Sequence, residues 1–341
     1  MAAKRLRAGI GLLTALLIGI WALAPAGASA ESVCTDTWTG PAEGNWGTAT
    51  DWSTGKVPTS TAVACIGSGK TVDVTEGANQ TGVVQGAGTL AISGGSLEVA
   101  NAWEASSLAT LSIMGGILKG AAEVDVTSSF TGGGDGAMVG TASTVIESGA
   151  VGTITANKAI SFDLYERTLK NAGTLTVGKE SGLQGEQKAR LINSGTLIVN
   201  GETPNENHGL SASGEIILTN TGTLKKTEGT GVTFIQMAVA NEGTVSATSG
   251  KLEFSASSTS SEHAVWSVSG TGAGFVFDGS GATFALGGAV SMSGASSMEI
   301  TSGTVTTSKI EGSTASGVVI SAHTRMEVNG TSPSTLGAVD K

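Results

Sequence analysis

Charge and aromatic side chains are scarce in this sequence. Only 13% of its 341 residues are Asp, Glu, Lys or Arg, 4% are aromatic, and Tyr165 is the single tyrosine. Basic residues are the scarcer sign, 18 against 28 acidic ones, for a formal net charge of −10 at pH 7. A chain without basic clusters does not hold nucleic acid or anionic lipid, which need grouped Lys and Arg. Apolar residues still reach 39%, so wholesale disorder is excluded. Proline occurs five times and nowhere between Pro58 and Pro204, so strand ladders there need not be interrupted. The three histidines, His208, His263 and His323, lie far apart, and no zinc spacing, phosphate loop or dinucleotide fingerprint occurs. No metal and no cofactor are therefore expected.

Long apolar runs are equally scarce. The only one, Ile10 to Leu23, follows Lys4, Arg5 and Arg7 and precedes Ala28-Ser29-Ala30. That order is the pattern of a secretory signal peptide over 1–30, and the run is shorter than the roughly 20 residues a spanning helix needs. Cleavage would give a secreted or cell-surface chain starting at Glu31 with no membrane span, and 15 basic against 28 acidic residues. Export favours pairing of the two cysteines, Cys34 and Cys65. The C-terminal segment 331–341 reads as a polar tail.

What is abundant is glycine, 52 residues of it, with Ser and Thr between short Val/Ile/Leu pairs. Thr71-Val72-Asp73-Val74, Thr89-Leu90-Ala91-Ile92 and Ser96-Leu97-Glu98-Val99 alternate apolar and polar residues, the period of a strand with one buried face. Later the phrase Asn-x-Gly-Thr-Leu returns at Asn171-Gly173, Asn193-Gly195, Asn220-Gly222 and, with Val for Leu, Asn241-Gly243. A recurrence in the twenties marks stacked units, each too small to bury its own core. The expectation is that Gly takes a positive φ in a tight turn, that Asn favours the turn by bonding nearby backbone, and that stacked Asn side chains bond from coil to coil. The fold class is all-β, a right-handed parallel β-helix over 67–330.

Residues 31–66 differ, with Trp38-Thr-Gly40, Gly44-Asn45-Trp46, Asp51-Trp52, Gly55 and Pro58. They resemble the Trp-rich module that opens many exported bacterial β-helix proteins, and imply a cap that covers the first rung. Residues 67–330 resemble the pectin-lyase-like superfamily, above all the stalks of bacterial adhesins and autotransporter passengers. The resemblance implies a structural or adhesive role, with extracellular glycans or a cell-surface component as partners, and self-association as a further possibility.

Several β-helix proteins cleave polysaccharides, so a lyase or glycoside hydrolase is the rival. The densest charged run, Asp163-Leu164-Tyr165-Glu166-Arg167, would then supply Asp163, Glu166 and Arg167 for acid–base work. Tyr165, Trp103 and Trp266 are the candidates for stacking on sugar rings. Gly132-Gly133-Gly134-Asp135-Gly136 is a single weak calcium-like turn, and Glu202–His208 lengthens one repeat. A threonine array for ice is not expected, because Ile198, Lys225 and Ser246 interrupt it.

Overall fold

The computed structural model describes residues 33–155, 161–202, 208–313, 316–321 and 324–328, with the backbone of 338–340. The signal-peptide reading of 1–30, His323 and most of the polar tail lie outside the described residues. From Cys34 onward the chain forms one compact unit, a parallel β-solenoid of about 12 turns. Among the described residues there is no α-helix, only a 3-10 turn at Ala49–Asp51.

The strands stack in three columns, some of them, such as Val124–Gly133, running through two, and every pairing between coils is parallel. In the first column Thr168–Asn171 stacks on Arg190–Asn193, then Ile217–Asn220, then Ala238–Asn241. The second column carries Thr174–Val177, Thr196–Val199, Thr223–Lys226 and Thr244–Ala247. The third carries Phe162–Tyr165, Gly182–Glu186 and Gly209–Ser213. Strands of four residues alternate outward and buried positions, so a register kept in phase puts Leu175, Leu197, Leu224, Val245 and Trp266 in one inner row. Bulk is balanced along that row. Phe130, which packs on Phe162 at 5.9 Å, is followed by Gly152, where a Cβ would lie 2.8 Å from both Ile146 and Leu175.

The repeated phrase is explained differently from the turn chemistry its letters suggest. Gly173, Gly195, Gly222 and Gly243 are not in the left-handed region. They are glycines because coils approach too closely for a side chain: a Cβ on Gly195 would overlap the carbonyl oxygen of Gly173, one on Gly222 that of Gly195, and one on Gly243 that of Gly222. Asn171, Asn193, Asn220 and Asn241 are buried and close the strands of the first column. Nδ2 of each donates to Oδ1 of the next at 2.7 Å, along Asn171, Asn193, Asn220 and Asn241. The same nitrogens also donate to the carbonyls of Thr196, Thr223 and Thr244 at 2.9, 3.1 and 3.1 Å. The ladder's two ends are bare, since Asn171 Oδ1 and Asn241 Nδ2 have no partner.

The Trp-rich segment is the first coil. Asp36–Thr37 pairs with Ala64–Cys65, and Glu43–Asn45 pairs with Thr71–Asp73. Trp38 and Trp46 pack edge-on against Trp52 at 5.2 and 4.9 Å, while Trp52 Nε1 donates to the Trp46 carbonyl at 2.8 Å. Gly40 and Gly44 make room for the Trp38 ring, which a Cβ at either would strike. Cys34 and Cys65 are disulfide-bonded across 31 residues, a closure that contributes about 3–4 kcal/mol in the chain-entropy account.

Candidate glycan-contacting surface

The residues singled out in the sequence do not converge on one site. Asp163 and Tyr165 point outward from the third column, and Glu166 sits at the following corner in the left-handed region (φ 56°). Arg167 is fully buried. Its Nε donates to Thr144 Oγ1 at 3.0 Å, and its other nitrogens donate to the carbonyls of Gly120, Ala122 and Ser143 at 3.1–3.2 Å. Burial lowers its pKa to about 10. A guanidinium so engaged secures three coils at a corner and is closed to substrate. Asp163 is held above the usual carboxylate range by burial, with Ser161 donating to it at 2.8 Å. Burial, then the charges of Asp163 and Glu186, raise the Tyr165 phenol. Among the described residues no group of three metal-binding side chains occurs.

Trp266 is likewise no sugar platform. It is fully buried among Phe254, Phe275 and Phe277, with ring centroids at 5.3, 5.5 and 6.2 Å. The alternation Trp266-Ser267-Val268-Ser269 already marks it as inward. Outward, Thr174, Thr196, Thr223 and Thr244 do stack in one column, but the neighbouring column runs Thr176, Ile198, Lys225, Ser246, so no flat threonine lattice results.

Trp103 is the opposite case. It is 97% exposed, the only fully exposed aromatic side chain among the described residues. Its position comes from a corner insertion. Residues 99–105 join the third column to the first, where the next coil uses only 120–123. The added residues form a turn in which Asn101 Oδ1 accepts from the Trp103 amide at 3.1 Å. The indole borders an open cleft of about 340 Å³ lined by Glu104, Glu123, Ala142 and Ser143 among others.

The cleft opens beside an acidic row. Lys170 Nζ lies 2.7 Å from Glu123 Oε2. One residue beyond Val124, Asp125 is half-buried, its Oδ1 has no partner, and its pKa is raised to about 6 by burial, then by Glu123 and Glu147. The unfolded carboxyl titrates near 3.8, so it sheds its proton first and stability falls as pH rises from about 4 to 6. Asp125→Asn should therefore raise the melting temperature at pH 7–8, by no more than about 1 kcal/mol of stability after solvent screening, and leave it unchanged at pH 3. Thermal melts at the two pH values check this.

Sequence reasoning missed one buried charge. Lys226 occupies an inward position and is fully buried, 3.1 Å from Glu202 Oε1 and 3.0 Å from Thr233 Oγ1. Burial pushes its pKa down. Glu202 also accepts from the Gly231 amide at 2.6 Å, which ties the start of the lengthened repeat to the core. The lengthening itself, at 203–207, lies outside the described residues. The alternation does place position 226 inward, two residues after Leu224 and level with Val177, Val199 and Ala247, but the residue type there argues for solvent.

Comparison of the chain with protein-family models, with curated proteins and with solved structures finds no match. The fold therefore defines the class, a parallel β-solenoid, and among the described residues no helix is long and apolar enough to cross a membrane.

Proposed function

We propose that this chain is a secreted or cell-surface structural and adhesive β-solenoid of the pectin-lyase-like, adhesin-stalk kind, with its Trp-rich first coil as cap, and that it contacts extracellular glycan through Trp103. The single observation that carries this reading is the corner insertion that holds an indole 97% in solvent beside carboxylates. A coil that needs only a corner needs no such turn, and insertions on one face of a solenoid are often the binding face. Exposed indoles stack on apolar sugar faces, while carboxylates accept from ring hydroxyls. The disulfide and the absence of a spanning helix among the described residues support an extracellular setting.

The polysaccharide-cleaving alternative has less support. Its base, Arg167, is sealed in the fold, and Asp163 faces outward from a strand while Glu166 sits in the corner that follows it. A glycan array probed with the full chain, with reducing-sugar release followed in the same wells, tests both. Binding without release that falls at least about tenfold in Trp103→Ala, the scale of about 1.4 kcal/mol, is the expected result. Released sugar would replace this reading with the enzymatic one, and binding unaffected by Trp103→Ala would move the contact elsewhere.

A further inference from the structure

The charge around Trp103 says more about the ligand than the ring does. Glu104 and Glu123 line the cleft, and Glu123 and Glu147 both lie close enough to Asp125 to raise its titration. Two cations face these four carboxylates. One is Lys170, bound to Glu123. The other is Arg167 beneath the cleft floor, donating to the carbonyls of Ala122 and Ser143. The balance stays negative, on a chain that is itself acidic. Neither Glu104 nor Glu123 is sealed: Glu104 accepts only a 3.4 Å bond from Asn101, and the Glu123–Lys170 pair is about 40% exposed on both sides, so both carboxylates remain open to a ligand. An exposed indole with carboxylates at its edge suits a group that is apolar on one face and cationic at its rim.

We infer that the Trp103 cleft selects a cationic glycan, a polymer of unacetylated amino sugar, over neutral and acidic ones. The inference rests on the proposed glycan contact and specifies its chemistry. The pyranose face stacks on the indole while its ammonium group donates to Glu104 or Glu123. An acidic polysaccharide is repelled by the same carboxylates, and an N-acetylated sugar offers no charge to them.

The test is calorimetric titration of the full chain with β-1,4-linked glucosamine hexamer and with its fully N-acetylated counterpart, at low and at 0.3 M salt and at pH 5.5, where the amine is charged. The glucosamine hexamer should bind roughly tenfold tighter, as one ammonium–carboxylate contact with cation–π support predicts, and added salt should weaken it. Glu104→Gln and Glu123→Gln should erase the preference while leaving the weaker binding of the N-acetylated hexamer intact. Trp103→Ala should reduce both. Equal affinity for the two hexamers, or a preference untouched by both Gln variants, would overturn the cationic assignment and leave the glycan contact standing. Binding of neither hexamer, with neutral or acidic sugars captured on the array through Trp103, would do the same. No binding to any glycan would remove both.

Discussion

Trp266→Ala is expected to be the most destabilising single change in this chain, by about 3–5 kcal/mol. Trp266 is fully buried in a continuous aromatic cluster. Phe254 stacks on Phe277 at 5.5 Å, and Phe277 in turn contacts Phe284 at 5.1 Å. Its neighbours in the inner row, Val245 and Val290, are too small to fill the space that the indole leaves. Its Nε1 donates to Ser260 Oγ at 3.0 Å, so the variant also leaves that hydroxyl short of a donor. Because each coil touches mainly the coils beside it, the damage should be local. Amide exchange should accelerate in strands Thr244–Ala247 and Ala289–Ser293 well before it does in Thr71–Val74. Denaturant unfolding gives the total loss, and a loss under about 1 kcal/mol would mean the aromatic cluster does not hold this part of the fold. Trp266→Phe, which keeps the apolar contact, should recover most of the stability.

The second large effect belongs to the asparagine ladder. Asn220→Ala removes the acceptor of Asn193 Nδ2 and the donor to Asn241 Oδ1, in a row fully shielded from water. Asn241 Oδ1 still accepts from the Gly243 amide at 3.2 Å, but the Thr244 carbonyl loses its Asn220 donor as well. A buried group left short of a partner costs about 1–3 kcal/mol, so a loss of roughly 2–4 kcal/mol is expected. Asn171→Ala should cost less. Asn171 ends the ladder, its Oδ1 is already without a partner, and its removal leaves Asn193 Oδ1 and the Thr196 carbonyl short of a donor but strands no N–H. Chemical denaturation of the two variants side by side gives the comparison. Equal losses would show that the N–H of Asn193 stranded by Asn220→Ala costs nothing beyond the loss of a single ladder bond.

Both effects stem from positions that the sequence marks only in part. The period of the phrase and the in-and-out alternation of Thr174 to Val177 are enough to stack parallel coils, because a register slipped by one residue would expose a whole inner row. The ladder's coil-to-coil bonds follow once those coils are in register. The reason for the glycines does not follow. A positive φ and a close approach both demand glycine, and only the position of the preceding carbonyl separates them. Corner residues are harder still. Alternation gives direction inside a strand, but at a corner the chain changes direction, and neighbouring residues lose their relation. Glu166 and Arg167 are adjacent in the chain, yet one is a solvent-exposed turn residue and the other the fully buried donor to three carbonyls on two neighbouring coils.

The sequence by itself determined the class of this protein: an acidic, glycine-rich chain of short alternating strands with a period in the twenties, which can bury its apolar side chains only by stacking. The tertiary structure alone decided which chemical groups reach solvent. It enclosed Arg167 at one corner, and it left Trp103 out on another, lengthened corner above a row of carboxylates. The physical reason is the same throughout. Burial along a strand follows a local period of two, while exposure at a corner depends on the lengths of the coils stacked on either side.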